Sequence, residues 1–132
     1  MGRTLATAAA VLLVATVSGG AAAAQPKTVR VQADNFRFCD AGATVCTPSD
    51  SGHTTTVKVG TRVRWVYEDR ACDVVAPCPG HDVVFPHFGT TKFTKTDGKT
   101  IFTMVFKRPG TFSYFCSEHE SFGMTGRVVV KR

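Results

Sequence analysis

The residues best suited to chemistry lie near the C-terminal end of the sequence. Cys116, His119 and Met124 follow one another with the spacing Cys-x2-His-x4-Met. A tight loop can bring side chains at this spacing to one point, and Gly123 provides backbone freedom just before the methionine. A thiolate, an imidazole and a thioether are soft donors, and with a second histidine they form the set that suits copper in electron transfer. The segment therefore predicts a copper site.

The second histidine of such a site has three candidates elsewhere in the chain, His53, His81 and His87. His81 and His87 flank one short apolar strand. At about 3.3 Å per residue they lie roughly 20 Å apart, so at most one of them joins the site. The spacing does not choose among the three.

The elements that must position these side chains are β-strands. From residue 27 onward, short runs of alternating apolar and polar residues are separated by turn pairs such as Asp97-Gly98 and Pro109-Gly110. About seven or eight such strands predict an all-β protein, a β-sandwich or a barrel. No helical period extends beyond about one turn. Residues 39–53 form the stretch most typical of a loop.

The N-terminal segment is expected to be a secretory signal peptide. Arg3 is followed by an apolar run of about 13 residues, and an Ala-rich cleavage site ends at Ala24. This run is too short for a transmembrane helix, which needs about 20 residues. We therefore expect residues 1–24 to be removed. Residues 25–132 would form one domain, exported to the periplasm, the cell envelope or the extracellular space without a transmembrane segment.

The positive charge of the chain is dispersed. Its 16 Lys and Arg exceed its 10 Asp and Glu, and the formal net charge is +6. No dense basic run and no phosphate-binding glycine loop is present, so nucleic-acid and nucleotide binding have little support. The basic residues either form an ordinary solvated surface or steer the protein toward an acidic partner or an anionic envelope surface.

The five cysteines leave one without a disulfide partner. Four of them form two local pairs, Cys39–Cys46 and Cys72–Cys78, and disulfides are expected outside the cytoplasm. Four cysteines allow three pairings. We expect the local one, because each bond then closes a short loop rich in turn residues. Cys116 is left as a thiol, which in an oxidising compartment is a liability unless it is buried or bound.

Three segments resemble the cupredoxins, the small blue copper proteins of the plastocyanin and pseudoazurin type. Residues 110–126, G-T-F-S-Y-F-C-S-E-H-E-S-F-G-M-T-G, are similar to the copper loop of that family. Residues 80–85, G-H-D-V-V-F, and 57–67, V-K-V-G-T-R-V-R-W-V-Y, are similar to two of its strand segments. The resemblance implies an eight-stranded Greek-key β-sandwich that binds one type 1 copper ion. It also implies the copper ligands, which are His81, Cys116, His119 and Met124.

The function implied by the resemblance is electron transfer. We expect an exported monomer, not an enzyme, that carries single electrons through Cu(II) and Cu(I). Redox proteins, acidic ones among them, would dock transiently around His119. Asp82 departs from the family, which usually has Asn at this position beside the ligand thiolate.

Other functions are compatible with parts of the sequence. Storage or delivery of copper would use the same ligands as electron transfer. A thiol enzyme would use Cys116 and His119 as nucleophile and base, but Met124 and His81 would then have no role. A copper-free adhesive sandwich would not need the four donors.

Overall fold

The computed structural model describes residues 24–68, 79–90, 94 and 98–132. Nine β-strands form in this part of the chain: β1 (Thr28–Asp34), β2 (Arg37–Asp40), β3 (His53–Lys58), β4 (Arg62–Tyr67), β5 (Val84–Phe85), β6 (Gly89–Thr90), β7 (Thr100–Val105), β8 (Gly110–Phe115) and β9 (Thr125–Lys131). Two single-turn 3-10 helices, at Pro48–Asp50 and Glu120–Phe122, are the helical elements of the described residues.

The strands form two sheets that share one core. The first sheet has the order β2-β1-β4-β7, and the second has the order β3-β9-β8-β5-β6. Neighbouring strands are antiparallel except for β1 with β4 and β3 with β9, which are parallel. A hairpin cannot join parallel neighbours, so the chain crosses between the sheets as a Greek-key sandwich requires.

The core is built from the inward faces of the strands. Buried and exposed residues alternate along β3, as the two-residue period of a strand dictates. The centre is aromatic, because Trp65 meets Phe85 and Tyr114 edge to face, and Phe38 meets Tyr114 in the same way. Such arrangements are the favoured ones for buried rings. Trp65 is fully buried and is a core residue.

The expected all-β Greek-key sandwich is confirmed. Six of the strands arise from the alternating runs of the sequence, and β5 arises from the short apolar run at 82–85. Alternation does not predict β2 and β6, which have four and two residues, because runs this short show no period. The end of β2 enters the stretch that is expected to be a loop, and β2 is a strand because it pairs with β1.

A disulfide joins Cys39 to Cys46, whose Cα atoms are 5.6 Å apart. The loop that it closes is also held by two side chains. Oδ2 of Asp34 accepts a hydrogen bond from the N–H of Cys46 at 3.0 Å, and Nδ2 of Asn35 donates to the carbonyl of Cys46 at 3.2 Å. The end of β2 is thereby fastened to the turn between β1 and β2.

Two expectations fall outside the described residues. The predicted Cys72–Cys78 disulfide lies within residues 69–78, and the predicted signal peptide is described only at Ala24. Within the described ranges, Cys116 is the free cysteine, and it is buried. No helix in these ranges has the length and apolar character that crossing a bilayer requires.

Replacing Cys39 and Cys46 together by alanine should lower the free energy of unfolding by about 2–3 kcal/mol, because the unfolded chain regains the freedom of a short closed loop. Urea denaturation without reductant measures the loss. Val45→Ala, at an exposed position in the same loop, is the control and should change stability by less than about 0.5 kcal/mol. An unchanged midpoint in the double variant would show that Asp34 and Asn35 hold the loop instead.

Candidate metal centre

Three metal-binding side chains meet at one end of the sandwich. Sγ of Cys116 lies 3.4 Å from Nδ1 of His119 and 3.9 Å from Nδ1 of His81, and the two histidine nitrogens are 3.2 Å apart. Their donor atoms all lie within 4.8 Å of one another. Among the residues that the structure describes, this is the one cluster of three His, Cys, Asp or Glu side chains that could hold a metal ion. A single metal ion can contact all three.

The loop between β8 and β9 carries Cys116, His119 and Met124, and its own backbone closes it. The N–H of Cys116 donates to the carbonyl of Met124 at 3.0 Å, and the N–H of Met124 donates to the carbonyl of His119 at 3.1 Å. The chain reverses at Gly123, where φ is 83°, a left-handed conformation that favours glycine. A Cβ at this position would lie 2.6 Å from Oγ of Ser51. The backbone angle therefore favours glycine before Met124, and a side chain at this position would also have to displace the hydroxyl of Ser51.

His81 reaches the cluster from a different segment of the chain. Its N–H and its carbonyl are bonded to Thr94 at 2.9 and 3.0 Å. Three residues later, Val84 of β5 pairs with Phe115 at the end of β8. These pairings place His81 beside Cys116, the residue that follows β8. His81 is fully buried.

The other two candidate histidines lie away from the cluster. Nε2 of His53 is 3.1 Å from the hydroxyl of Thr55 and 3.3 Å from a carboxylate oxygen of Asp40. His87 is exposed in the turn after β5. The structure therefore brings His81, rather than His53 or His87, to the loop donors.

Met124, the fourth residue of the expected ligand set, is fully buried and packs in the main core. Its carbonyl accepts from Cys116 and its N–H donates to His119. The thioether residue and two of the donors thus belong to one hydrogen-bonded loop.

Burial sets the protonation of the donor side chains. Burial and the neighbouring His119 lower the pKa of His81 to about 3. Burial also lowers the pKa of His119, although the carboxylates of Glu118 and Asp82 partly oppose this. Both imidazoles are therefore neutral near pH 7 and keep a lone pair for a metal. Burial raises the pKa of the Cys116 thiol to about 11, and a bound cation offsets the cost of burying the thiolate.

Asp82 links the two segments that carry the donors. Its Oδ1 accepts from the N–H of Ser117 and its Oδ2 accepts from the hydroxyl of Ser117, both at 2.7 Å. Asp82 is buried and adjoins His81, whereas Ser117 adjoins Cys116. The sequence singles out Asp82 as a departure from the family but does not identify its partner, because the two residues meet only in the folded chain.

Phe36 contacts the cluster, although it lies far from the metal-binding motif. With Asn35 it forms the two-residue turn between β1 and β2, and both residues have left-handed φ values, 46° and 58°. This conformation costs a non-glycine residue about 1–2 kcal/mol. The Phe36 ring lies edge-on to His119, with ring centroids 4.7 Å apart. An Asn after an alternating run is a turn signal, but nothing in the sequence connects this turn with His119.

Comparison with known proteins identifies the family. The family model described as copper binding proteins, plastocyanin/azurin family, matches residues 51–131, which is more than half of the chain. This span runs from β3 to β9 and includes all four residues of the expected ligand set. The chain therefore belongs to the plastocyanin/azurin family of copper-binding proteins, and the resemblance to cupredoxins is confirmed.

Solved structures of amicyanin share the fold. Oxidized amicyanin with a methionine-to-lysine substitution is 20% identical, with a TM-score of 0.53, and the match covers 83% of this chain and 86% of that chain. Oxidized amicyanin with a proline-to-glycine substitution is 23% identical, with a TM-score of 0.51 and coverages of 89% and 88%. Amicyanin from Paracoccus versutus is 20% identical, with a TM-score of 0.50 and coverages of 83% and 85%.

The donor chemistry fits copper. Two neutral imidazoles and one thiol converge in a buried place, and a methionine belongs to the same loop. Nitrogen and sulfur donors of this kind suit copper, whereas Mg²⁺ and Ca²⁺ prefer oxygen ligands. Family membership and this donor set together identify copper as the cofactor.

Asp82→Asn should raise the midpoint potential of the copper-loaded protein by tens of millivolts. The amide oxygen can still accept the N–H of Ser117, but the negative charge that favours the oxidised state is removed; about 59 mV corresponds to a tenfold change in the equilibrium of one electron. Voltammetry measures the shift. Glu118→Gln removes an exposed charge from the same loop and should have a smaller effect, because water screens it. Equal shifts in the two variants, or a fall with Asp82→Asn, would contradict this role.

Phe36→Gly should keep the free energy of unfolding within about 1 kcal/mol of wild type, because relief of the left-handed conformation offsets the lost ring contacts. Phe36→Ala loses the same contacts but keeps a Cβ, so it should be about 1 kcal/mol less stable than Phe36→Gly. Urea denaturation of the two variants measures the difference. Equal stability would mean that the turn holds Phe36 without strain.

Proposed function

We propose that this protein carries single electrons between redox partners outside the cytoplasm and is not itself an enzyme. The observation that carries the proposal is the burial of the donor cluster. His81 and Cys116 are fully buried, and His119 is 9% exposed. A metal bound in this buried cluster would be shielded from substrate and water, while one edge of the His119 imidazole would remain at the surface. The site therefore suits electron transfer rather than the turnover of a substrate.

The ligands that we assign are His81, Cys116, His119 and Met124, the set that the family resemblance implies. Copper bound there supplies a centre that accepts and releases one electron. The thiolate and the two imidazoles would be the strong ligands, and the thioether of Met124 would be a weak ligand that tunes the potential. Amicyanin has been solved in an oxidized form and in a Cu(I) form, so a sandwich of this fold accommodates both states.

The chain's own task is to keep its four side chains in one arrangement, because little then has to move when an electron is transferred. Backbone hydrogen bonds hold the loop donors to one another, and Thr94 holds His81 through two more. The carboxylate of Asp82 fastens the two segments together through Ser117. None of these bonds uses the sulfur or the ring nitrogens of the donors, so they can hold the side chains in place and leave those atoms for a metal.

His119 is the proposed route for electrons. It is the donor nearest the surface, and the rings of Phe36 and Phe122 lie beside it, at centroid distances of 4.7 and 6.2 Å. Phe122 is 62% exposed and Phe36 is 37% exposed. A redox partner, acidic ones among them, that docks transiently on these two rings would reach the edge of His119 through apolar contacts.

Export is part of the proposal. Residues 1–24 have the composition of a signal peptide, and the Cys39–Cys46 disulfide is of a kind that persists in oxidising compartments. The mature protein would be a monomer of residues 25–132, with a second disulfide between Cys72 and Cys78.

Copper storage or delivery would use the same donors. Delivery requires the ligands of an acceptor to reach the metal, and the burial of His81 and Cys116 opposes such an exchange. Burial therefore favours electron transfer over delivery.

The copper-loaded protein should show the intense visible absorption of a thiolate–copper bond and a reversible one-electron voltammogram. Cys116→Ser and His81→Gln should each abolish the absorption, because each removes a strong ligand. His87→Gln, which removes a histidine outside the cluster, is the matched control and should retain both signals. Copper bound to the wild type without a strong visible band would exclude the type 1 site. A strong band without a reversible voltammogram would favour delivery instead.

A further inference from the structure

The end of the sandwich opposite the donor cluster is strongly basic. β9 starts next to Met124 and runs away from the cluster for seven residues, which is about 20 Å at 3.3 Å per residue. The start of β1, the β3–β4 turn and the β7–β8 turn meet at its far end. Six exposed cations lie there and are called the basic end: Lys27, Lys58, Lys107, Arg108, Lys131 and Arg132.

Backbone bonds show that these segments adjoin one another. The N–H of Val59 in the β3–β4 turn donates to the carbonyl of Lys131 at 2.9 Å. The N–H of Gly60 in the same turn donates at 2.8 Å to the carbonyl of Phe106, the residue before Lys107. Cations that are scattered in the sequence are therefore gathered on one surface.

The charges of the basic end are not balanced locally. No acidic side chain of the described residues lies among the six cations, and none of the six forms an ion pair within the described ranges. The nearest acidic side chains along β1 are Glu68, whose carboxylate is already paired with Arg30, and Asp40, which strand register places opposite Val31. The six charges therefore add to one positive field that an anionic surface can neutralise.

An apolar cleft accompanies the charges. Its volume is about 600 Å³, and it is lined by four of the six cations and by Val29, Val57 and Val59. Val59 is 40% exposed at the tip of the β3–β4 turn. The basic end thus offers aliphatic side chains among long, flexible cationic ones.

We propose that the basic end binds the surface of an anionic lipid bilayer. Lysine and arginine side chains that spread over a surface match an array of mobile anionic headgroups, and each contributes roughly fivefold in affinity. The exposed valine can contact the boundary between headgroups and acyl chains. A soluble acidic protein would neutralise the charges but need not contact the valines of the cleft, whereas the boundary of a bilayer offers both anionic headgroups and an apolar phase.

Docking in this way would hold the protein by one end only. The donor cluster, with Phe36 and Phe122 beside His119, would point away from the membrane and stay accessible to redox partners. The proposal does not depend on electron transfer, and the proposed export decides only which membrane the protein meets.

Vesicle sedimentation of the copper-loaded exported protein tests the proposal. The wild type should bind phosphatidylcholine vesicles that contain phosphatidylglycerol, should not bind pure phosphatidylcholine vesicles, and should be released by high salt. Poly-glutamate, a soluble polyanion without a lipid phase, is the competing probe.

Two variants with the same loss of net charge locate the surface. The basic-end variant combines Lys58→Gln, Lys107→Gln and Lys131→Gln, and its partition onto the anionic vesicles should fall roughly 100-fold. The matched control removes three exposed cations elsewhere and should lose less than about threefold, because distant charges are screened; it combines Arg64→Gln, Lys99→Gln and Arg127→Gln. An unchanged copper spectrum in both variants shows that they are folded.

Three results would overturn the proposal. Equal losses in the two variants would show that net charge, and not this surface, governs binding. Absence of wild-type binding to anionic vesicles at low salt would exclude the membrane. Binding to poly-glutamate that is as tight as binding to vesicles would assign the surface to soluble polyanions. None of these results bears on the copper absorption or the voltammogram, so failure here is distinguishable from failure of the proposed electron transfer.

Discussion

Polar donor atoms from two chain segments are buried against each other, and the rest of the site depends on how those segments are held. His81 and Cys116 are 35 residues apart in sequence. Removing their side chains from water costs free energy, which is visible in the lowered pKa of His81 and the raised pKa of Cys116. The Asp82–Ser117 bonds and the pairing of β5 with β8 resist separation of the segments. A bound cation recovers part of the cost, so folding and metal binding reinforce each other.

The length of the sandwich separates two kinds of surface. At the donor end, aromatic rings surround the edge of His119, and the described acidic side chains lie on this half or in the middle of the strands. At the other end, about 20 Å away along β9, lie the six cations of the basic end, four of which line an apolar cleft. Because the strands between the ends are rigid and hydrogen-bonded, contact at the basic end would leave the metal geometry unchanged while fixing the direction in which His119 points.

Local strain near the site is tolerated because tertiary contacts oppose it. Phe36 has a left-handed backbone in a two-residue turn, and its ring contacts both His119 and Phe122. Gly123 reverses the loop with a left-handed φ that a residue with a side chain rarely adopts. Phe36 lies on the rim of the donor cluster, as expected where the surrounding structure determines an unfavourable conformation, whereas glycine adopts the left-handed φ at position 123 without that cost.

The sequence by itself determined the features that depend on near neighbours. The loop donors Cys116, His119 and Met124 are so close in sequence that their spacing alone predicts a cluster. Alternation of apolar and polar residues predicts the strands that are long enough to show a period of two. The choice of His81 over His53 and His87 came from resemblance to a family, because spacing leaves it open. Only the tertiary structure decided that Asp82 meets Ser117, that Phe36 covers His119 and that scattered cations form one basic end. These contacts join residues that are far apart in the chain. They depend on strand register, and register results from many weak pairings across two sheets, so no single segment encodes it.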